Sequence, residues 1–245
     1  DRSLLDSKDL CEPFNFQQKL GHLYEDALRH LLEQSSRTDL MASGIQVFRP
    51  TGKGARQTLG ELDFLVKVGG RIIHLELAVK FYLAVEQSTG VCKWPGPDAR
   101  DDWQRKRLRM ENHQFKIAQC EEAQLMLKQD YEVGELETQH LIYGCLFDRF
   151  QCGTSEADSV SLDCHRGWWL KREQWDDLAE LVQGPIWKVP KHLWPVLPSE
   201  NLTGVLEKSS KTEMMELTEE RCCMFTDGKE RYFFVSEHWL QMTGA

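Results

Sequence analysis

The first periodic segment covers residues 16–34. Phe16, Leu20, Leu23, Tyr24, Ala27, Leu28 and Leu31 recur at helical spacing and predict an amphipathic helix. Residues 45–49 (IQVFR) predict a short strand, followed by the loop TGKGAR. Residues 57–67 and 71–82 predict two further strands, with the sharpest alternation in the second. Between them, Val68-Gly69-Gly70-Arg71 predicts a two-residue hairpin turn, because both central positions need positive φ. The loop STGVCKWPGPDA, stiffened by Pro95 and Pro97, leads to a long helix predicted over 99–129. Asp98 is placed to cap it, with Asp101 and Asp102 in its first turn, where the helix dipole favours carboxylates. Residues 139–148 predict a strand.

Beyond Phe150 the periodic signal weakens. The pattern there predicts a strand at 159–164, a helix at 171–182 and a Pro- and Trp-rich surface stretch, GPIWKVPKHLWPVLP. A hairpin at 222–226 and 231–235 around Asp227-Gly228 and a short terminal helix follow. The order α, β, β, β, α, β predicts an α/β core, a mixed β-sheet flanked by helices, over residues 14–150. Residues 151–245 are expected to form a C-terminal α+β extension packed on that core. The chain has no internal repeat.

The 245 residues are 41% apolar and 28% charged, enough for an ordinary globular core. No apolar run reaches the length of a membrane span. The opening DRSLLDSKDL lacks a basic region followed by an apolar stretch, so no secretion signal and a cytoplasmic location are expected. A net charge of −9 argues against a non-specific DNA coater, yet leaves room for an enzyme with a local basic patch. The eight cysteines contain no CxxC pair and are expected to be free thiols. Cys145, Cys152, Cys164 and His165 fit no standard zinc spacing.

The strand at 72–81 carries the candidate chemistry. Ile73, Leu75, Leu77, Val79 and Phe81 line one face; His74, Glu76, Ala78 and Lys80 line the other. Glu76 and Lys80 lie about 13 Å apart along an ideal strand. With a two-residue turn at Gly69-Gly70, paired residue numbers sum to 139, which sets Asp63 opposite Glu76 and Glu61 opposite Ala78. Opposed side chains have Cβ atoms about 5 Å apart, and two like charges there destabilise the hairpin unless something neutralises them. A hard divalent cation would do so. A register shifted by one residue would instead turn one carboxylate to solvent.

Gly21 and Glu25 (GHLYE) stand one turn apart on the first helix; a glycine there would let a strand approach and let Glu25 reach the sheet. On the long helix, Trp103, Met110, Ile117 and Ala118 mark the inward stripe, with Lys106, His113 and Gln114 in the same sector. Arg105-Lys106-Arg107-x-Arg109 is the densest basic run, either a phosphate contact or a solvated face. TGKGAR lacks the spacing of a nucleotide-binding loop, so no nucleotide cofactor is expected. Gly167-Trp168-Trp169-Leu170 is read as a hydrophobic anchor, with base stacking as the alternative.

These residues resemble the PD-(D/E)XK nuclease superfamily, its RecB-like branch in particular, and the predicted core resembles a restriction-endonuclease-like fold. The branch's G-x-x-x-E is matched by Gly21 and Glu25, its G-x-x-D by Gly60-Glu61-Leu62-Asp63, the acid of its acid-x-Lys strand by Glu76, and its helical Gln by Gln114. TLGELDFL, HLELAVKFYL, WPGPDARDDWQRKRL with ENHQ, and GWW are similar to blocks of DUF1853, a bacterial family of unknown function. One departure stands out: the position two after the acid is Ala78, and Lys80 lies two further along.

The resemblance implies metal-dependent phosphodiester hydrolysis on nucleic acid, DNA before RNA. Asp63, Glu76 and Glu25 would hold Mg²⁺ or Mn²⁺, Lys80 would orient water or offset developing charge, and Gln114 would position a ligand. Arg105, Lys106, Arg107, Arg109 and His113 would contact the nucleic acid. Ala78 and the acidic net charge motivate a competing reading, a catalytically inactive module on the same fold that binds nucleic acid or a protein. A weaker one is a structural protein whose acids are surface groups.

Overall fold

The computed structural model describes residues 15–52, 54–157, 160–161 and 163–245. The expectations drawn from the first ten residues and from Cys11, the start of the 14–150 core, and Lys53 of the TGKGAR loop lie outside the described residues.

In chain order the elements begin with helix α1 (Leu20–Gln34) and strands β1 (Thr38–Pro50), β2 (Arg56–Val68) and β3 (Arg71–Leu83). Two short strands follow, β4 (Val85–Glu86) and β5 (Cys92–Lys93). Helix α2 (Trp103–Arg109) widens into a π-turn over Met110–Gln114, and α3 (Phe115–Ile117) and α4 (Glu121–Asp130) come next. Then come β6 (Glu137–Arg149), β7 (Arg166–Leu170), α5 (Trp175–Val182), β8 (Trp187–Val189), α6 (Glu200–Thr203) and α7 (Lys211–Leu217). Strands β9 (Cys223–Thr226) and β10 (Arg231–Phe234) and helix α8 (Glu237–Thr243) close the chain. The protein is thus a mixed α/β fold in which β-sheet is flanked by helices.

The described chain divides into two compact units. Residues 15–79 and 108–142 make up the first, and residues 80–107 and 143–245 the second.

In the first unit the strands run in the order β1-β2-β3-β6. β1 and β2 form a long antiparallel pair, bulged between Leu40 and Ala42 and between Val47 and Phe48. Ile45, Val47, Leu62 and Leu65 of this pair pack against Ile117, Ala118, Ala123 and Leu127 of the helical segment, which forms the unit's core. Gly60 is part of that fit. A Cβ there would meet Ile117 at 3.0 Å, closer than side chains normally approach, so glycine lets the helix lie against β2. On α1, Leu23 is buried and Leu31 of the expected stripe is exposed; Phe16, also of that stripe, precedes the helix and is exposed.

The single helix expected over 99–129 is not formed. Ala99 has a φ of 61°, and Asp98 Oδ1 accepts the amides of Arg100 and Asp101, which makes a turn where the helix was to start. Asp102 Oδ1 accepts from Arg105 N–H, inside the helix that starts at Trp103. A second break falls at Cys120, whose backbone is extended; the freed Ala118 carbonyl accepts from the Gln124 side chain at 2.6 Å.

In the second unit the order is β3-β6-β7-β10-β9-β8. β6 is parallel to β7 and β7 to β10, whereas β9 runs antiparallel to β10 and β8 antiparallel to β9. Gly167-Trp168-Trp169-Leu170 forms most of β7 and acts as the expected hydrophobic anchor, with Trp169 and Leu170 buried. Trp169 is 1% exposed and donates Nε1–H to the Ala84 carbonyl at 2.7 Å. A tryptophan so enclosed has no face to offer a base, which removes Trp169 from the stacking alternative. Of the strand expected at 159–164, residues 159 and 162 lie outside the described residues and the other four are not in a strand. Buried Trp175, Leu178, Phe225 and Phe234 are among the residues of this unit's core.

The last helix shows how local sequence anchors this unit. Ser236, 2% exposed, caps α8 by accepting the Trp239 amide, and Trp239 Nε1–H donates to the Gly96 carbonyl at 2.9 Å. Ser236→Ala therefore loses a cap worth about 1 kcal/mol. We expect a melting temperature lower by about 2–4 °C, read by calorimetry.

The seven described cysteines are unpaired thiols. Burial pushes Cys145 and Cys222 up to about 12, so both are neutral packing groups. No helix among the described residues is long and apolar enough to cross a membrane.

Candidate functional site

The β2–β3 hairpin has the register its turn predicts. Gly69 and Gly70 have φ of 54° and 84°, and the pairs run from Val68–Arg71 to Phe64–Leu75. The ladder stops one step short of Asp63 and Glu76. Here the Asp63 side chain enters the backbone pattern: Leu77 N–H donates to Asp63 Oδ2 at 2.8 Å. β2 continues beyond Asp63 paired with β1 as far as Arg56. Asp63 and Glu76 thus face each other where the two strands part.

Glu76 is 6% exposed, and a buried carboxylate needs donors. Its Oε1 lies 2.7 Å from His74 Nε2 and its Oε2 lies 3.5 Å from Gln114 Nε2. His74 is fully buried, with Thr138 Oγ1 3.5 Å from its Nδ1. Gln114 closes the π-turn; such widened turns recur at functional sites because they re-aim the side chains that follow.

Glu25 joins from α1. Its Oε2 is 3.1 Å from His22 Nδ1, and its side chain is 36% exposed. Gly21 does not serve to admit a strand, as its spacing suggested: a Cβ there would meet Glu25 Oε1 at 3.8 Å, an ordinary contact. The carboxylates act on one another through space. Burial, then the charge of Glu76, raises Asp63 to about 7; the Leu77 amide opposes this, and Glu25 and Glu61 add to it. Partial burial holds the His140 imidazole on β6 below its ordinary range, against the attraction of Glu76.

The remaining candidates divide between the units. Arg109 and His113 belong to the first unit and are exposed. Lys80, Arg105, Lys106 and Arg107 belong to the second. Lys80 Nζ lies 2.8 Å from Asp101 Oδ2, which also accepts from Tyr82 OH at 3.2 Å. Burial, followed by the Asp101 charge, pushes the Tyr82 phenol well above its ordinary range, so it stays a donor. Arg105 Nη1 donates to the Arg100 carbonyl.

Among the described residues no three His, Cys, Asp or Glu side chains form a ready metal-binding group. Asp63 and Glu76 are nonetheless hard oxygen donors that repel each other, and Mg²⁺ takes only one or two protein carboxylates and completes its shell with water. The donor set therefore fits a hard divalent ion.

Sequence reasoning missed His74, Thr138 and His140 as parts of this constellation. Two-residue alternation had put His74 on the face of Glu76, and that was the available signal. Thr138 lies 64 positions from His74, and nothing local links them.

The family profile described as a domain of unknown function, DUF1853, matches residues 4–222. No curated protein and no solved structure matches the chain.

Proposed function

The chain belongs to the DUF1853 family, and from that premise we propose that it is a metal-dependent nuclease with a restriction-endonuclease-like core, hydrolysing phosphodiester bonds in DNA in preference to RNA. The observation that supports this most is the meeting of buried Glu76 with Asp63 where β2 and β3 part, two carboxylates close enough for the charge of Glu76 to raise Asp63.

In this reading Asp63 and Glu76 hold Mg²⁺ or Mn²⁺, with Glu25 contributing directly or through water. A bound ion of this kind polarises the scissile phosphate and lowers the pKa of a coordinated water. The chain's own residues do the rest. Leu77 N–H and His74 hold the two carboxylates in place, and Gln114 steadies the second Glu76 oxygen. Arg105, Lys106, Arg107, Arg109 and His113 contact the nucleic-acid backbone. Lys80 remains the proposed charge-stabilising lysine, its ammonium shared with Asp101.

That ion pair favours a second reading. A lysine already engaged by a carboxylate, with Ala78 at the superfamily's lysine position, suits a nuclease-fold module that binds nucleic acid or protein without turnover. Single- and double-stranded DNA and RNA incubated with millimolar Mg²⁺ or Mn²⁺, against a chelated control, separate the two. Metal-dependent cleavage supports the first. Binding without cleavage, weakening steeply with salt, supports the second. For the first reading we expect Arg109→Ala to lower DNA affinity a few-fold and to flatten its salt dependence by about one counterion, measured by titration at several salt concentrations.

A further inference from the structure

We propose that His74 is a positioning residue that fixes the Glu76 carboxylate for a divalent cation; this rests on the metal-dependent reading of the site. Three observations converge on it.

First, His74 and Glu76 are two residues apart on β3 and share a face, so their side chains lie side by side. Both are enclosed, His74 at 0% and Glu76 at 6% exposure. Second, the contact between His74 Nε2 and Glu76 Oε1 is 2.7 Å, whereas the Gln114 amide stands off at 3.5 Å. A carboxylate that holds a cation only accepts, and the ring partner it then needs is an N–H at Nε2, the atom that lies beside it. Third, Thr138 Oγ1 faces the other ring nitrogen at 3.5 Å. In the neutral ring Nδ1 is an acceptor, and a hydroxyl is the donor that suits it. With that tautomer, Thr138, His74 and Glu76 form a chain in which the hydroxyl faces Nδ1 as donor and Nε2–H faces the carboxylate.

The consequence is geometric. A glutamate carboxylate turns easily about its last torsion. Donation from an enclosed ring sets the plane of Glu76 and uses one lone pair on Oε1, leaving lone pairs on both oxygens for a cation beside Asp63. Outer partners of this kind typically change metal affinity by about 10- to 100-fold when removed. A role confined to satisfying buried polarity makes a different prediction: His74 variants lose stability and nothing else.

Mn²⁺ alone is the probe, measured by calorimetry and by electron paramagnetic resonance of the bound ion on the full chain without nucleic acid. His74→Leu removes the donor, His74→Asn carries an amide too short to reach Glu76, and His74→Gln carries one that reaches it. We expect Mn²⁺ affinity to fall about 10- to 100-fold in the Leu and Asn variants, to recover in His74→Gln, and the resonance spectrum of His74→Gln to match wild type. Should His74→Leu not fold, the comparison of Asn with Gln carries the same test. Wild-type affinity in all folded variants, beside lost binding in Glu76→Gln, overturns the role of His74 and leaves the metal site standing. A wild-type protein that takes up no Mn²⁺ at millimolar concentration overturns the metal-dependent reading and, with it, this inference.

Discussion

Glu76→Gln is expected to fold like wild type and to cleave DNA in Mg²⁺ slower by on the order of 10³-fold. The substitution keeps the shape of the side chain and removes only its charge. The His74 ring nitrogen, 2.7 Å from Oε1, still finds an amide oxygen, and the Gln114 amide, 3.5 Å from Oε2, meets the new amide nitrogen with its own oxygen once it flips. What disappears is one of the two anionic ligands offered to the cation. Melting in the absence of metal should change by a few degrees at most, and the rise in melting temperature on adding Mn²⁺ should vanish. Glu135→Gln, an exposed acid outside the site, serves as control and should cleave at the wild-type rate. Cleavage by Glu76→Gln at the rate of that control would refute the metal-dependent reading.

The second large effect is on stability and has the opposite sign. Asp63 titrates near 7 in the folded chain against an ordinary 3.8. A carboxyl with a raised folded-state pKa contributes stability below its unfolded value and loses it as pH rises through the folded one. Between about 4 and 7 the metal-free protein therefore weakens, and by pH 8 the full cost of ionising Asp63 is present. About three pH units correspond to a ceiling of about 4 kcal/mol, and local relaxation and solvent should reduce it to about 2. Asp63→Asn removes the charge and keeps an oxygen for the Leu77 amide. The variant should thus melt about 4–8 °C above metal-free wild type at pH 8, with the difference shrinking towards zero near pH 4. Mn²⁺ at pH 8 should raise the wild-type melting temperature and leave the variant's unchanged. An Asn variant that is less stable than wild type by the same margin at both pH values would show that Asp63 is not strained by its neighbours.

Both effects depend on Asp63 and Glu76 facing each other, and that much was legible in the chain. Two glycines at a turn with positive φ, flanked by alternating strands, leave one economical register, and the pairs from Val68–Arg71 to Phe64–Leu75 follow it. The strands at β2, β3, β6, β9 and β10 could be read for the same reason: period-two alternation and turn residues act within a few positions. The helix expected over 99–129 failed because its pattern of apolar residues encodes neither the turn at its expected start nor the break inside it. One is a turn held by Asp98; the other is an extended residue at Cys120. β7 was missed as a strand because a run of two tryptophans beside a glycine has no alternation to read.

The sequence by itself determined the hairpin, its register and the identity of its two opposed acids, because each follows from interactions between near neighbours along the chain. The tertiary structure alone decided their surroundings. It set His74 wholly out of solvent against Glu76, brought Thr138 to it across 64 positions, and aimed Gln114 at Glu76 across 38 through a widened helical turn. It also gave Lys80 to Asp101, 21 residues away. Burial and partner choice among polar side chains depend on which distant segments pack together, and a local pattern of apolar and polar positions carries no record of that.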